Sequence, residues 1–146
     1  MEPIAGQRVV AEAATWLGTP YRHQGSTRGV GCDCLGLIRG VWRGLNGAEP
    51  EAPGRYAPDW AEAGADRLMQ AARRHLIDRG AAEPEAGDVI LFRWRPHMAA
   101  KHAGIAAGGD RFIHAYEGAS VTVSTLVPQW RRRIAGVFRF PDIRVS

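Results

Sequence analysis

The hydrophobic period of this 146-residue chain changes at Asp88. Before it, apolar residues recur at three- and four-residue steps; after it they alternate, and the β-branched and aromatic types take over. Those two periods belong to a helix face and to a strand. Val10, Ala13, Ala14 and Leu17 share one helical face, with Gly18 and Pro20 as a stop, so a first helix is expected from about Gln7 to Leu17. A second should start at Asp33 or Cys34 and end near Gly47, carrying Leu35, Ile38, Trp42 and Leu45 on its face, with Asp33 as N-cap. A third opens at Asp59-Trp60-Ala61-Glu62, spaced like a capping box, and closes at Gly80. Strands are expected at Val89–Trp94, His102–Ala107, Arg111–Tyr116, Val121–Leu126 and Ile134–Phe140. Most connections between them are too short for crossover helices. The expected fold is therefore α+β, with N-terminal helices packed on a largely antiparallel sheet of about five strands.

The length suits one domain over residues 1–146, and 45% apolar with 23% charged residues is an ordinary globular balance. The longest stretch free of Asp, Glu, Lys and Arg, Gly118 to Trp130, is too short and polar to cross a bilayer. Met1-Glu2-Pro3-Ile4 has no basic segment followed by an apolar run, so no secretory signal is expected. The net charge of +4 comes almost wholly from arginines spread along the chain, with one cluster at Arg131-Arg132-Arg133; a nucleic-acid binder would gather that charge on one face. Two cysteines two positions apart, Cys32 and Cys34, make no disulfide framework.

Cys34 stands in the first turn of a helix, where unpaired N–H groups and the helix dipole favour thiolate and are expected to lower its pKa. Taken alone it reads first as a small buried hydrophobe near a helix start. Its partners decide, and His102 and His114 flank a hairpin turn at Ala107-Gly108-Gly109-Asp110. Their separation is even, so an odd-numbered loop puts both imidazoles on one face; a three-residue loop with glycine in the left-handed position is expected, whereas a two-residue turn would separate them. One imidazole can then take the thiol proton while the other fixes its tautomer.

These residues resemble the NlpC-type cell-wall cysteine peptidases, which have a papain-like fold. The likeness runs through Leu17-Gly18-Thr19-Pro20-Tyr21, Gly31-Cys32-Asp33-Cys34-Leu35-Gly36-Leu37, Gly87-Asp88-Val89-Ile90-Leu91-Phe92, His102-Ala103-Gly104-Ile105 and Arg111-Phe112-Ile113-His114-Ala115. The resemblance implies Cys34 as nucleophile, His102 as general base, His114 as the polar residue orienting it, and Tyr21 as a hydroxyl beside the thiol. It implies peptidoglycan stem peptides as substrate, cut between D-glutamate and the diamino acid, with no cofactor and no metal. The chain looks most like short variants encoded with phage and gene-transfer-agent tails, which implies synthesis in the cytoplasm, tail tip or hub proteins as partners, and action on the wall in the periplasm. It departs from the pattern at Leu35, where serine is usual, at Gln24-Gly25 in place of a Gly-Gly pair, and at the added thiol Cys32.

Asp33 suits a cap better than a catalytic acid. Gly36 either admits another segment of the chain or a substrate, or serves close helix packing. Arg93, Arg95 and Arg131 to Arg133 are either solvated surface or contacts for stem-peptide carboxylates. Trp16, Trp42 and Trp60 fit helix faces and are expected in the core; His23, His75 and His97 have no assigned role, and the loop from Asn46 to Pro58 is a candidate docking surface. Two rival classes stand beside the peptidase: a zinc site of Cys32, Cys34, His102 and His114, whose spacing matches no common structural pattern, and an inactive tail component that kept the fold. Nucleic-acid binding is a distant third.

Overall fold

The protein is described from a computed structural model, and the structure describes residues 2–51 and 66–144. The described elements run, in chain order, α1 (Gly6–Ala14), β1 (Ser26–Thr27), β2 (Gly31–Cys32), α2 (Cys34–Asn46), α3 (Arg67–His75), β3 (Ile77–Asp78), β4 (Val89–Phe92), β5 (His102–Gly108), β6 (Arg111–Ala115), β7 (Val121–Thr125), α4 (Pro128–Arg131) and β8 (Ile134–Arg139). Strands β3-β8-β4-β5-β6-β7 form one antiparallel sheet of six strands, and β1-β2 form a separate small hairpin. The sixth strand of the large sheet is β3, only two residues long.

Alternation sorts the sheet into two faces. Val89, Leu91, Ala103, Ile105, Ile113 and Ala115 point toward the helices and join Val9, Ala13, Leu37, Val41, Trp42, Leu68 and Met69 in the main core. Ile90, Phe92, Ala106, Phe112 and Leu126 make a second cluster on the other face, with Trp130 and Ile134 packed against it. Helix α2 lies across β5 and β6, and α1 lies against α2. Trp16 and Trp42 are buried as expected; Trp60 lies outside the described residues.

Several boundaries differ from expectation for local reasons. Helix α1 stops at Ala14, where Thr15 turns its hydroxyl back onto the Glu12 carbonyl at 2.6 Å. Helix α3 ends at His75 rather than Gly80, because Ile77 and Asp78 leave the helix to pair with Arg139 and Phe138. Its expected start at Asp59 lies outside the described residues.

The hairpin carrying the two histidines keeps both on one face by another device than the expected loop. Its turn has two residues, Gly109-Asp110, closed by the Gly108 to Arg111 pair. The register shifts between Ala106 and Gly108, so that Ile105 opposes Ile113 while Gly108 opposes Arg111. One extra residue in the bulge restores the even register that a three-residue loop would have given, and positive φ at Gly108 and Gly109 permits it.

Candidate active site

Asp33 builds the start of α2. Its Oδ1 accepts from the Gly36 N–H at 2.7 Å, while Oδ2 accepts from the Gln24 N–H, also at 2.7 Å. One buried carboxylate thus caps the helix and ties the preceding segment to it. Gln24 has φ 65°, a left-handed backbone that among the described residues is otherwise adopted only by glycines. The next residue, Gly25, brings its carbonyl oxygen so close to α2 that a Cβ on Gly36 would lie 1.7 Å from it. What approaches Gly36 is therefore another segment of the chain.

Cys34 follows the cap, 9% exposed. Its Sγ lies 4.0 Å from the Lys101 carbonyl oxygen, at the start of β5, and the N–H groups of Ala103, Leu35 and Cys34 itself are directed at the sulfur. The β5–β6 ladder makes room for it. Among the described residues it is paired at Ile105–Ile113, Ala106–Phe112 and Gly108–Arg111, and stops short of His102 and Ala115; these continue to pair outward, with Phe92 and Val121. Helix α2 therefore begins at a split in the sheet, with its thiol beside the main chain on either side of His102.

His102 and His114 meet on the second face. Nε2 of His102 is 2.8 Å from Nδ1 of His114, and Nε2 of His114 is 2.7 Å from Ser124 Oγ. Gly104 lets this happen, since a Cβ there would lie 2.9 Å from the Phe112 ring and 3.2 Å from the His114 Cβ. That is a physical reason for glycine in His102-Ala103-Gly104-Ile105. Aromatic side chains enclose the pair: the Trp94 ring stacks on the His102 imidazole with centroids 6.0 Å apart and planes at 18°, and Trp130 stands 5.7 Å from it. Tyr21 is pinned by main-chain contacts to Cys32 on one side and Ala119 on the other.

Burial dominates the protonation of all these groups. It pushes the Cys34 thiol up to about 12, with the Asp33 carboxylate adding to the rise and the three N–H groups opposing it. The expected lowering is thus overturned: desolvation outweighs the helix terminus. Burial also pushes Cys32 up to about 12, and raises the Tyr21 phenol, on which the Cys34 and Asp33 charges act in the same direction. His102 is pushed down to about 3, by burial and then by His114; burial pushes His114 down to about 4. At neutral pH the resting site holds a thiol and two neutral imidazoles.

The structure brings Cys34 to the strand that carries His102 and joins His102 to His114. Ser124, Trp94, Trp130 and the Ala103 N–H were missed in the sequence. Strand alternation on β7 could have singled out Ser124, which opposes Phe112 and so shares the His114 face. Among the described residues no group of three or more His, Cys, Asp and Glu side chains is placed to hold a metal ion.

The chain is 34% identical over 138 residues to a gamma-DL-glutamyl hydrolase of Bacillus subtilis, covering 94% of this chain and 30% of that protein. It is 30% identical over 127 residues to the murein DD-endopeptidase MepS/murein LD-carboxypeptidase of Escherichia coli, covering 86% of this chain and 58% of that one. It therefore spans only part of the length of these curated relatives. Among solved structures, the NlpC/P60 domain of the peptidoglycan hydrolase SagA matches with a TM-score of 0.61 and 29% identity, covering 94% of this chain and 100% of that one. A family member from Bacillus cereus shares the fold with a TM-score of 0.66 at 20% identity, over 95% of this chain and 41% of that one. The NlpC/P60 family model matches residues 18–139, a stretch that takes in Tyr21, the capped start of α2 and both histidine strands, and the chain belongs to the NlpC/P60 family.

Proposed function

We propose that this chain is a cysteine peptidase that hydrolyses an amide bond of peptidoglycan stem peptides, between D-glutamate and the diamino acid. The observation that carries the reading is the line from His102 through His114 to Ser124, starting where the Cys34 thiol meets β5. For His102 to accept the thiol proton at Nδ1, its Nε2–H must donate to His114 Nδ1, and the His114 Nε2–H must then donate to Ser124 Oγ. Each bond fixes the tautomer of the next ring. Because thiol and imidazole are both neutral at rest, the proton leaves Cys34 as the sulfur attacks the carbonyl carbon. The N–H groups at Cys34 and Leu35 supply donors for the developing oxyanion, each of which is typically worth about 3–4 kcal/mol of barrier. The C–N bond then breaks, the His102 imidazolium passes its proton to the leaving amine, and water hydrolyses the thioester, regenerating the thiol. Tyr21, kept protonated, offers its hydroxyl as a donor beside the sulfur.

The relatives' names support the substrate class: one is a gamma-DL-glutamyl hydrolase and another a murein endopeptidase. The likeness to short tail-encoded members supports delivery on a phage-like particle, where attachment raises the local concentration at the wall by tethering. Purified protein mixed with defined muropeptides, with products identified by mass spectrometry, tests the chemistry. Cys34→Ala should give no product while keeping its circular dichroism spectrum, and Cys32→Ala should keep most of the turnover. Equal losses in both variants overturn Cys34 as the nucleophile, and an inert wild-type protein overturns the peptidase reading. Particle delivery has its own test, proteomics of purified particles, and fails if the protein is found only free in the cytoplasm.

A further inference from the structure

The three consecutive arginines Arg131 to Arg133 have different surroundings. Arg131 is spent: it pairs with Glu83 and Asp110, each at 2.6 Å, and donates to the Leu126 carbonyl. Arg132 is exposed. Arg133 is half-buried on aromatic rings, its guanidinium carbon 5.0 Å from the centroid of Trp94 and 5.9 Å from that of Trp130. These same two rings flank the His102 imidazole. The main chain holds the arrangement in register, since the Arg93 N–H donates to the Arg133 carbonyl at 2.8 Å and Phe92 pairs with Ile134. No carboxylate among the described residues forms an ion pair with Arg133.

A guanidinium over ring faces is held by its charge, and its N–H fork is left for a planar anion. The aromatic wall also reduces its access to water, which strengthens whatever anion it meets. The side of the site is set by chemistry. His102 must hand its proton to the leaving nitrogen, so the residue that bears this nitrogen lies on the His102 side, where Trp94, Trp130 and Arg133 stand. We propose that Arg133 binds a carboxylate on the leaving-group half of the substrate, carried by the side chain of the diamino acid, and that Trp94 and Trp130 position it. This rests on the peptidase reading above and deepens it: the enzyme selects a diaminodicarboxylic acid after the cut and discriminates against its amide and against lysine.

The test uses tetrapeptide stems whose diamino acid carries its distal carboxylate either free or amidated, with a third stem amidated on D-glutamate instead. Binding to Cys34→Ala protein is measured by calorimetry, with Arg133 intact and as Arg133→Gln, Arg133→Lys and Arg132→Gln. The free distal carboxylate should bind about tenfold or more tightly than its amide, the range of charge-assisted hydrogen bonds. That ratio should fall to near one in Arg133→Gln, take an intermediate value in Arg133→Lys, and persist in Arg132→Gln. Amidation of D-glutamate should leave the Arg133 effect unchanged. In the active protein the loss should enter KM with kcat preserved. Equal binding of free and amidated stems, a preference that survives Arg133→Gln, a ratio set by the D-glutamate carboxylate, or no binding of any stem overturns the proposal. A carboxylate preference in binding with no hydrolysis by the wild type would uphold this site and overturn the peptidase reading; hydrolysis without preference does the reverse.

Discussion

A thiol pushed up to about 12 becomes a nucleophile only when its proton has somewhere to go, and at Cys34 the cap itself sharpens the problem. Asp33 is needed to start α2, yet its carboxylate opposes a negative sulfur one residue away. In the proposed mechanism reactivity depends on how well His102 is held as a base, and the residue at the end of that line is Ser124. Its hydroxyl lies 2.7 Å from His114 Nε2, and in that mechanism it accepts from His114 and so fixes the ring that fixes His102. Ser124→Ala should lower kcat by about three- to tenfold, the size of one neutral hydrogen bond, with KM and the thermal midpoint little changed, and Ser124→Thr should restore most of the rate. Steady-state kinetics on a muropeptide decides it; wild-type kcat in Ser124→Ala would remove Ser124 from the line. At this scale the sequence made Cys34, its cap and the shared face of the histidines legible, because each depends on a local spacing. Burial of the thiol was not, since it comes from β5 residues nearly 70 positions away, and Ser124 was one hydroxyl among several on β7.

Elements carry the site through a few close approaches. Helix α2 was legible almost to the residue because Asp33 and Gly47 mark both ends and its apolar face is regular. The two-residue strands β1, β2 and β3 were not, since periodicity needs more residues than they have. The segment 24–26 is clamped to α2 by the Asp33 side chain, by the Ser26 hydroxyl donating to the Gly36 carbonyl at 2.7 Å, and by the contact of Gly25 with Gly36. A methyl group at position 36 would strike a backbone oxygen, which has no rotamer by which to withdraw. Gly36→Ala should therefore cost about 1–3 kcal/mol despite alanine's better helix propensity, and should lower activity as well, because the clamp also sets the start of α2. Urea denaturation checks it; a stability within about 0.5 kcal/mol of wild type would mean that the segment yields freely.

For the whole molecule, helices before strands was enough to read the α+β class, but the place of β8 between β3 and β4 was not legible, because alternation says which face a strand buries and not which strands it joins. Trp94 and Trp130, not β8, cover His102 and His114 on the second face, and burial there links the candidate site to global stability. In the unfolded chain both imidazoles take a proton near the ordinary value of 6.5; in the native site His114 does so only near 4 and His102 near 3. Their native pKa values are depressed, so between those limits the unfolded state binds more protons and the native state loses ground as the pH falls. The contribution is complete above about pH 7 and declines from 6.5 downward, with a slope of at most about 2.7 kcal/mol per pH unit for two protons. The buried thiols act with the opposite sign: Cys32 and Cys34 ionise near 9 when unfolded and near 12 when native, so stability also falls as the pH rises above 9. Urea midpoints should be highest between about pH 7 and 8.5 and drop on either side, with the acid drop beginning before most carboxylates titrate. His114→Gln should reduce the acid slope toward that of one proton, and Cys32→Ala should soften the alkaline limb without altering the acid one. A midpoint that stays level from pH 7 to 5 would mean that the imidazoles take protons in the folded protein, and the neutral histidine pair at the centre of this site would have to be abandoned.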